Sequence, residues 1–308
     1  MPDRAVRVFL DSNVVGDLID WDRTDPAPIR EQLLQATRSG VICVVGSLEV
    51  LSELAGARCF RSANDFLLEL VNRWWMLPLL ERIIQEVARG GQLPEEEPYL
   101  SRELRRELKH FRERQEKVRT LAKEVRERAE KYKADSEKAR AEVIAHLRTT
   151  SLLPGGGSHL PADALRNAMW AWWKAGHVAE WCRDMLDAGV SRKWFAQSKD
   201  HWADPKSLSP TLWAYMSYRL LRIALEVGEG RGIQPSDEYD ARHYSAAAVY
   251  ADVLVTEDRG FSKICEKLEG TDLEIIGLLE LHARVEAMFK RAGIRPRPVE
   301  EKVHDSEH

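Results

Sequence analysis

Apolar positions along this chain follow two habits. Short unbroken runs at Arg7 to Leu10, Val41 to Val45, Val253 to Thr256 and Leu273 to Ile276 have the length of buried strands and are too short for helices. Apolar residues at helical spacing fill Val14 to Ile19, Ile29 to Ser39, Asp237 to Tyr250, Arg259 to Leu268 and Leu278 to Arg291. Gly40 is placed to stop the second of these helices, and Ser47 to cap a further one that carries Glu49 and Glu53 and ends near Gly56. Strands alternating with helices predict an α/β fold with a parallel central sheet covered on both faces.

From about Phe60 to Gly230 the spacing is helical almost throughout, so the two strand-bearing segments flank a large all-helical insertion. Between Tyr99 and Leu153 there is neither glycine nor proline, and a single helix of that length would reach about 80 Å. Leu104, Leu108, Phe111, Gln115, Val118 and their successors to Val143 recur in alternating steps of four and three, the seam of a coiled-coil-like arm. Several seam residues are small or polar. The arm is therefore expected to pack against the Trp-rich helices downstream, which carry Trp170, Trp172, Trp173 and Trp181 beyond the turn at Pro154 to Ser158. Core packing accounts for those tryptophans more simply than base stacking does. The predicted organisation is residues 1–59 and 232–294 as one α/β domain, 60–231 as the insertion, with its arm at about 99–153 and Trp-rich helices at about 162–227, and 295–308 as a charged, proline-interrupted tail expected to be disordered.

An apolar share of 44% and a charged share of 31% suit a folded chain with a heavily charged surface. No run approaches the ~20 apolar residues of a membrane span, and Met1 to Asn13 lacks the plan of a signal peptide, so no membrane association and a cytoplasmic location are expected. Cys43, Cys59, Cys182 and Cys265 are scattered, which signals neither a zinc site nor a disulfide framework. The net charge of -4 hides an asymmetry, because Ser101 to Thr150 holds 16 basic and 10 acidic residues while the rest of the chain is acidic. Arg112, Lys123 and Arg126 on the arm are candidate RNA contacts. Mixed charges four apart, such as Glu113 with Lys117, are equally the mark of a solvated helix.

In an open parallel sheet the loops at the carboxyl ends of the strands form the binding crevice. Asp11 and Asp258 follow apolar strands, and Glu53 and Asp240 lie on helices that can flank the same edge. Four converging carboxylates repel one another unless a cation joins them, and oxygen ligands without a Cys or His pattern favour Mg²⁺ or Mn²⁺. Ser12, Asn13 and Thr256 can hydrogen-bond these carboxylates or a phosphate and support the site. Three further residues stand behind them as weaker candidates. Glu49 competes with Glu53 from one helical turn away, Asp237 has the position of a helix cap, and His243, one turn after Asp240, reads more readily as a satisfied histidine than as a phosphate contact.

Val8-Phe9-Leu10-Asp11-Ser12-Asn13, the segment from Ser47 through Glu53 to Gly56, and Asp240 followed by Ala246-Ala247 and Val253 to Phe261 together resemble, in order and spacing, the PIN-domain nucleases, with the toxin-type ribonucleases the nearest comparison. The six-residue step from Ser47 to Glu53 and the eighteen-residue step from Asp240 to Asp258 carry the likeness. It spans residues 1–60 and 232–290. The insertion lies outside it and departs from the compact toxin form. The resemblance implies a PIN-like three-layer α/β/α fold, a quartet of Asp11, Glu53, Asp240 and Asp258 serving as metal ligands and catalytic groups, and metal-dependent cleavage of single-stranded or structured RNA, within a toxin–antitoxin or other setting. A second copy of the chain or an inhibitory protein is the kind of partner the insertion would serve. A structure-dependent DNA nuclease and a non-catalytic assembly module are the alternatives, since a carboxylate–metal site does not by itself distinguish sugars.

Overall fold

A computed structural model describes residues 5–19, 27–54, 60–95, 97–104, 106, 123, 127, 171, 205–229, 236–268 and 271–295. Most of the arm, residues 162–170 and 172–204 of the Trp-rich segment, and the tail from residue 296 onward lie outside the described residues.

Four apolar runs become strands: β1 (Val6–Leu10), β2 (Ile42–Val45), β3 (Val253–Val255) and β4 (Glu274–Ile276). They form a single all-parallel sheet in the order β2-β1-β3-β4, as the alternation of strands and helices predicts. Val8 pairs with both Val44 and Val253, so β1 is central, and Val8, Phe9 and Leu10 are buried on both faces, which is why they read as a continuous apolar run. The chain leaves β1 toward β2 on one side and later enters β3 on the other. That reversal opens the crevice at the carboxyl ends of β1 and β3, and Asp11 stands at its mouth with its amide bonded to the Val255 carbonyl at 3.0 Å.

Among the described residues, the helices up to residue 100 are α1 (Ser12–Ile19), α2 (Ala27–Arg38), α3 (Leu48–Leu54), α4 (Phe60–Val71) and α5 (Leu79–Arg89). From residue 205 onward come α6 (Pro205–Leu208), α7 (Pro210–Glu229), α8 (Ser236–Tyr250), α9 (Arg259–Cys265) and α10 (Leu278–Ala292). Gly40 ends the α2 turn at φ 74°, a left-handed value that costs glycine least. Helix α8 lies against β1, β3, α3 and α7, and so joins the site's edge of the sheet to the helical layer. Residues 60–100 and 205–229, which the sequence reading assigns to the insertion, share one hydrophobic core with the sheet through Leu70, Trp75, Ile83, Tyr215 and Leu221.

Buried polar groups pin that helical layer. Glu86 on α5 accepts hydrogen bonds from Ser209 Oγ at 2.6 Å, Thr211 N at 3.0 Å and Thr211 Oγ1 at 2.6 Å, and from the Tyr250 hydroxyl of α8. One carboxylate thereby ties three helices together. Arg222 of α7 pairs with Asp237 of α8 at 2.9 Å, both nearly fully buried. No helix among the described residues is long and apolar enough to cross a membrane. Cys43 and Cys265 are buried free thiols, and the other two cysteines lie outside the described residues.

Candidate metal centre

Asp11 reaches the centre of the site because β1 carries it straight to the carboxyl edge, where only 4% of the residue remains exposed. Its Oδ1 accepts from Ser12 N at 2.8 Å and faces His243 Nδ1 at 2.8 Å, and its Oδ2 accepts from Thr256 Oγ1 at 2.8 Å. Burial opposes ionisation of this carboxyl. The His243 contact, and then the Thr256 and Ser12 hydrogen bonds, outweigh it and hold the pKa below the ordinary value.

His243 projects from α8 beneath the ring of Phe9, with centroids 5.8 Å apart, and is 1% exposed. Burial disfavours its charged form, but the Asp11 hydrogen bond and the charges of Glu53, Asp11 and Asp240 push its pKa up to about 9. Its other nitrogen, Nε2, stands 3.6 Å from Glu53 Oε2, beyond hydrogen-bond length. Both atoms are buried and neither has a hydrogen-bond partner. Ligand atoms of Asp11, Glu53 and His243 all lie within 4.8 Å of one another. The donor set suits a divalent cation. An ion there would also engage Nε2 and Oε2, which face each other as charges but make no hydrogen bond.

No protein-family model, curated protein or solved structure matches this chain.

The remaining sequence candidates take distinct places around the group. Asp240 precedes His243 by three residues on α8, is half-buried, and meets the Tyr218 hydroxyl at 3.4 Å. Burial, with the negative charges of Asp11, Glu53 and Asp237 prevailing over the attraction of His243, holds its pKa well above the usual carboxyl value. Its carboxylate is coupled to the centre without joining the group of close ligand atoms. Asp258 does not join that group either. It is exposed, and its Oδ1 accepts from Gly260 N at 2.6 Å and Phe261 N at 3.0 Å as the N-cap of α9. Its backbone still supports the site, because Asp258 N donates to Thr256 Oγ1 at 3.1 Å, behind Asp11.

Ser12 engages Asp11 through its amide, and Asn13 reaches Thr256 Oγ1 and Glu257 N at 3.5 Å each, bracing the two strand ends against one another. Glu49 turns away from the centre. Its Oε2 takes the Ser47 hydroxyl at 2.6 Å, and its Oε1 takes Leu79 N at 3.0 Å, the otherwise unpartnered first amide of α5. Asp237 is committed to Arg222. Lys123 is exposed and lies 3.7 Å from Glu127, in keeping with a solvated helix surface, while Arg112 and Arg126 fall outside the described residues. His243 is the residue that the sequence places behind the others and that the structure brings against Asp11 and Glu53. Its signal was the i,i+3 spacing from Asp240, which puts both on one helix face, but nothing local tells which histidine on such a face meets an acid 232 positions away.

Proposed function

We propose that the chain is a metal-dependent, PIN-like endoribonuclease that hydrolyses phosphodiester bonds at the crevice between β1 and β3. The observation that carries this reading is the convergence of Asp11, Glu53 and His243 within 4.8 Å at the switch point of a parallel sheet, with Glu53 Oε2 and His243 Nε2 buried and left without a hydrogen bond. A bound divalent ion, Mg²⁺ or Mn²⁺ in the all-oxygen expectation, supplies charge neutralisation at the phosphate and a lowered pKa for an attacking water. The chain's own groups do the rest. Thr256 and Ser12 hold the Asp11 carboxylate in one orientation, and the buried Phe9 and Leu10 at the end of β1 keep its surroundings low in dielectric. Asp240 retains its proton to higher pH than an ordinary carboxyl and sits at the rim, where it can pass that proton to a departing oxygen.

The test is cleavage of matched single-stranded RNA and DNA by the purified full chain, with and without Mg²⁺ or Mn²⁺, beside Asp11→Asn. Metal-dependent RNA cleavage lost in the variant is the expected result. Cleavage that survives in Asp11→Asn or in chelator rejects the site, and preferential cleavage of DNA moves the substrate to the DNA alternative. A non-catalytic assembly role rests on one specific contact, the 2.8 Å His243–Asp11 pair, which neutralises the buried acid without any cation. It predicts neither metal binding nor turnover.

A further inference from the structure

His243 is held from behind and open in front. Asp11 Oδ1 meets Nδ1 at 2.8 Å, so the proton on that nitrogen points at the carboxylate and Nε2, whose own proton an arriving ion would displace, points the other way, toward Glu53 Oε2. An imidazole whose far nitrogen is anchored by a carboxylate is the arrangement in which histidines serve metals, because the carboxylate fixes the ring and raises the basicity of the ligating nitrogen. The gap in front has a matching size. At 3.6 Å the Nε2 to Oε2 separation is too long for a hydrogen bond. It lies near the upper end of the span between neighbouring ligands on an ion with bonds of about 2.0 to 2.2 Å, roughly 3 to 3.6 Å. Both atoms are buried without a hydrogen-bond partner, and His243 is 1% exposed.

Asp11, in contrast, already spends Oδ1 on Ser12 N and His243 and Oδ2 on Thr256. Its first duty is orientation.

We propose that His243 Nε2 and Glu53 Oε2 are the direct metal-contacting pair of this centre, with Asp11 positioning the imidazole, and that the centre takes a first-row transition ion such as Mn²⁺ in preference to Mg²⁺. An imidazole nitrogen suits first-row transition ions such as iron, nickel, copper and zinc, and Mn²⁺ accepts it beside a carboxylate, whereas Mg²⁺ keeps to oxygen ligands and water. The inference rests on the metal-dependent reading above and sharpens it, since an all-oxygen quartet would show only a weak preference and no nitrogen coupling.

The probe is Mn²⁺ added to the chelator-stripped full chain, read by pulsed electron paramagnetic resonance for ¹⁴N coupling and by calorimetry against Mg²⁺. Expected are ¹⁴N modulation in the parent, its loss in His243→Gln, and Mn²⁺ bound tighter than Mg²⁺ by about tenfold or more. Circular dichroism checks that the variant is folded. Should His243→Gln fail to fold, Glu53→Gln, at a partly exposed position, must weaken Mn²⁺ by about tenfold or more. Unchanged affinity there, ¹⁴N modulation that persists in His243→Gln, or equal affinities for the two ions each overturn the proposal. Mn²⁺ bound through oxygen alone overturns it while leaving the metal-dependent nuclease intact. Binding of neither ion overturns both.

Discussion

Replacing Asp11 with asparagine should destabilise the metal-free protein, although a simple cluster of repelling acids would lead one to expect the opposite. The amide keeps the shape, can still accept from Ser12 N and His243 Nδ1, and can donate to Thr256 Oγ1 if the threonine hydroxyl rotates. What disappears is the charge beside a buried imidazolium. His243 is raised from 6.5 to about 9, with the Asp11 hydrogen bond the largest upward influence. At pH 7.5 the window still open below pH 9 is worth about 2 kcal/mol at ~1.4 kcal/mol per unit, and Asp11's share comes to about 1 to 2 kcal/mol. The lowered pKa of Asp11 is the same contact seen from the other partner and is counted once. The sign of the pH dependence follows. A group with a raised folded pKa contributes fully below its unfolded value and loses that contribution as pH rises through the folded one. The gap between parent and variant should therefore be widest near pH 6 and narrow toward pH 9 and above. On the acid side it should close again below the ordinary carboxyl pKa of 3.8, because Asp11's depressed pKa contributes only while the unfolded carboxyl is ionised. Urea unfolding in chelator at pH 6, 7.5 and 9.5 reads this directly from the midpoints at equal slope. An Asp11→Asn protein as stable as the parent at pH 6, or a gap that does not shrink toward pH 9.5, would refute the reasoning.

Asp240→Asn should shift the other way, raising metal-free thermal stability at pH 7, because the folded protein holds this carboxyl protonated above its unfolded pKa. The gain should vanish as pH falls below about 4, and a lower melting temperature at pH 7 would contradict it. Asp258→Ala should cost about 1 kcal/mol as a lost helix cap, whereas Asp258→Asn should cost far less. If Asp258→Asn instead weakens Mn²⁺ binding by calorimetry, its carboxylate is a ligand as well as a cap. Glu86→Ala strands donors from Ser209, Thr211 and Tyr250 and should cost about 3 to 5 kcal/mol in urea unfolding. A loss under about 1 kcal/mol would mean that these helices are held together by apolar packing alone.

Much of the frame was legible in the chain, because the signals that specify it are local. Short, mostly β-branched runs at Val41 to Val45 and Val253 to Thr256 have one low-energy use in a folded core, and glycine at position 40 ends a helix wherever that helix lies. The same runs place Asp11 and Thr256 at strand ends, so the crevice edge and two of its residues follow from periodicity and topology.

The choice among the acids was not local. Glu49 and Glu53 sit one turn apart on one helix, and what separates them is the start of α5, whose first amide claims Glu49 from 30 residues along the chain. Asp258 has the spacing of a ligand, yet its carboxylate also faces the free amides of its own helix, and capping uses it there. His243 shows no sequence sign of its partner because Asp11 is 232 residues away. Backbone preference and burial are properties of a short stretch and can be read from it. Which donor meets which acceptor across a packed interior depends on the path of the whole chain, and only the tertiary structure decides that.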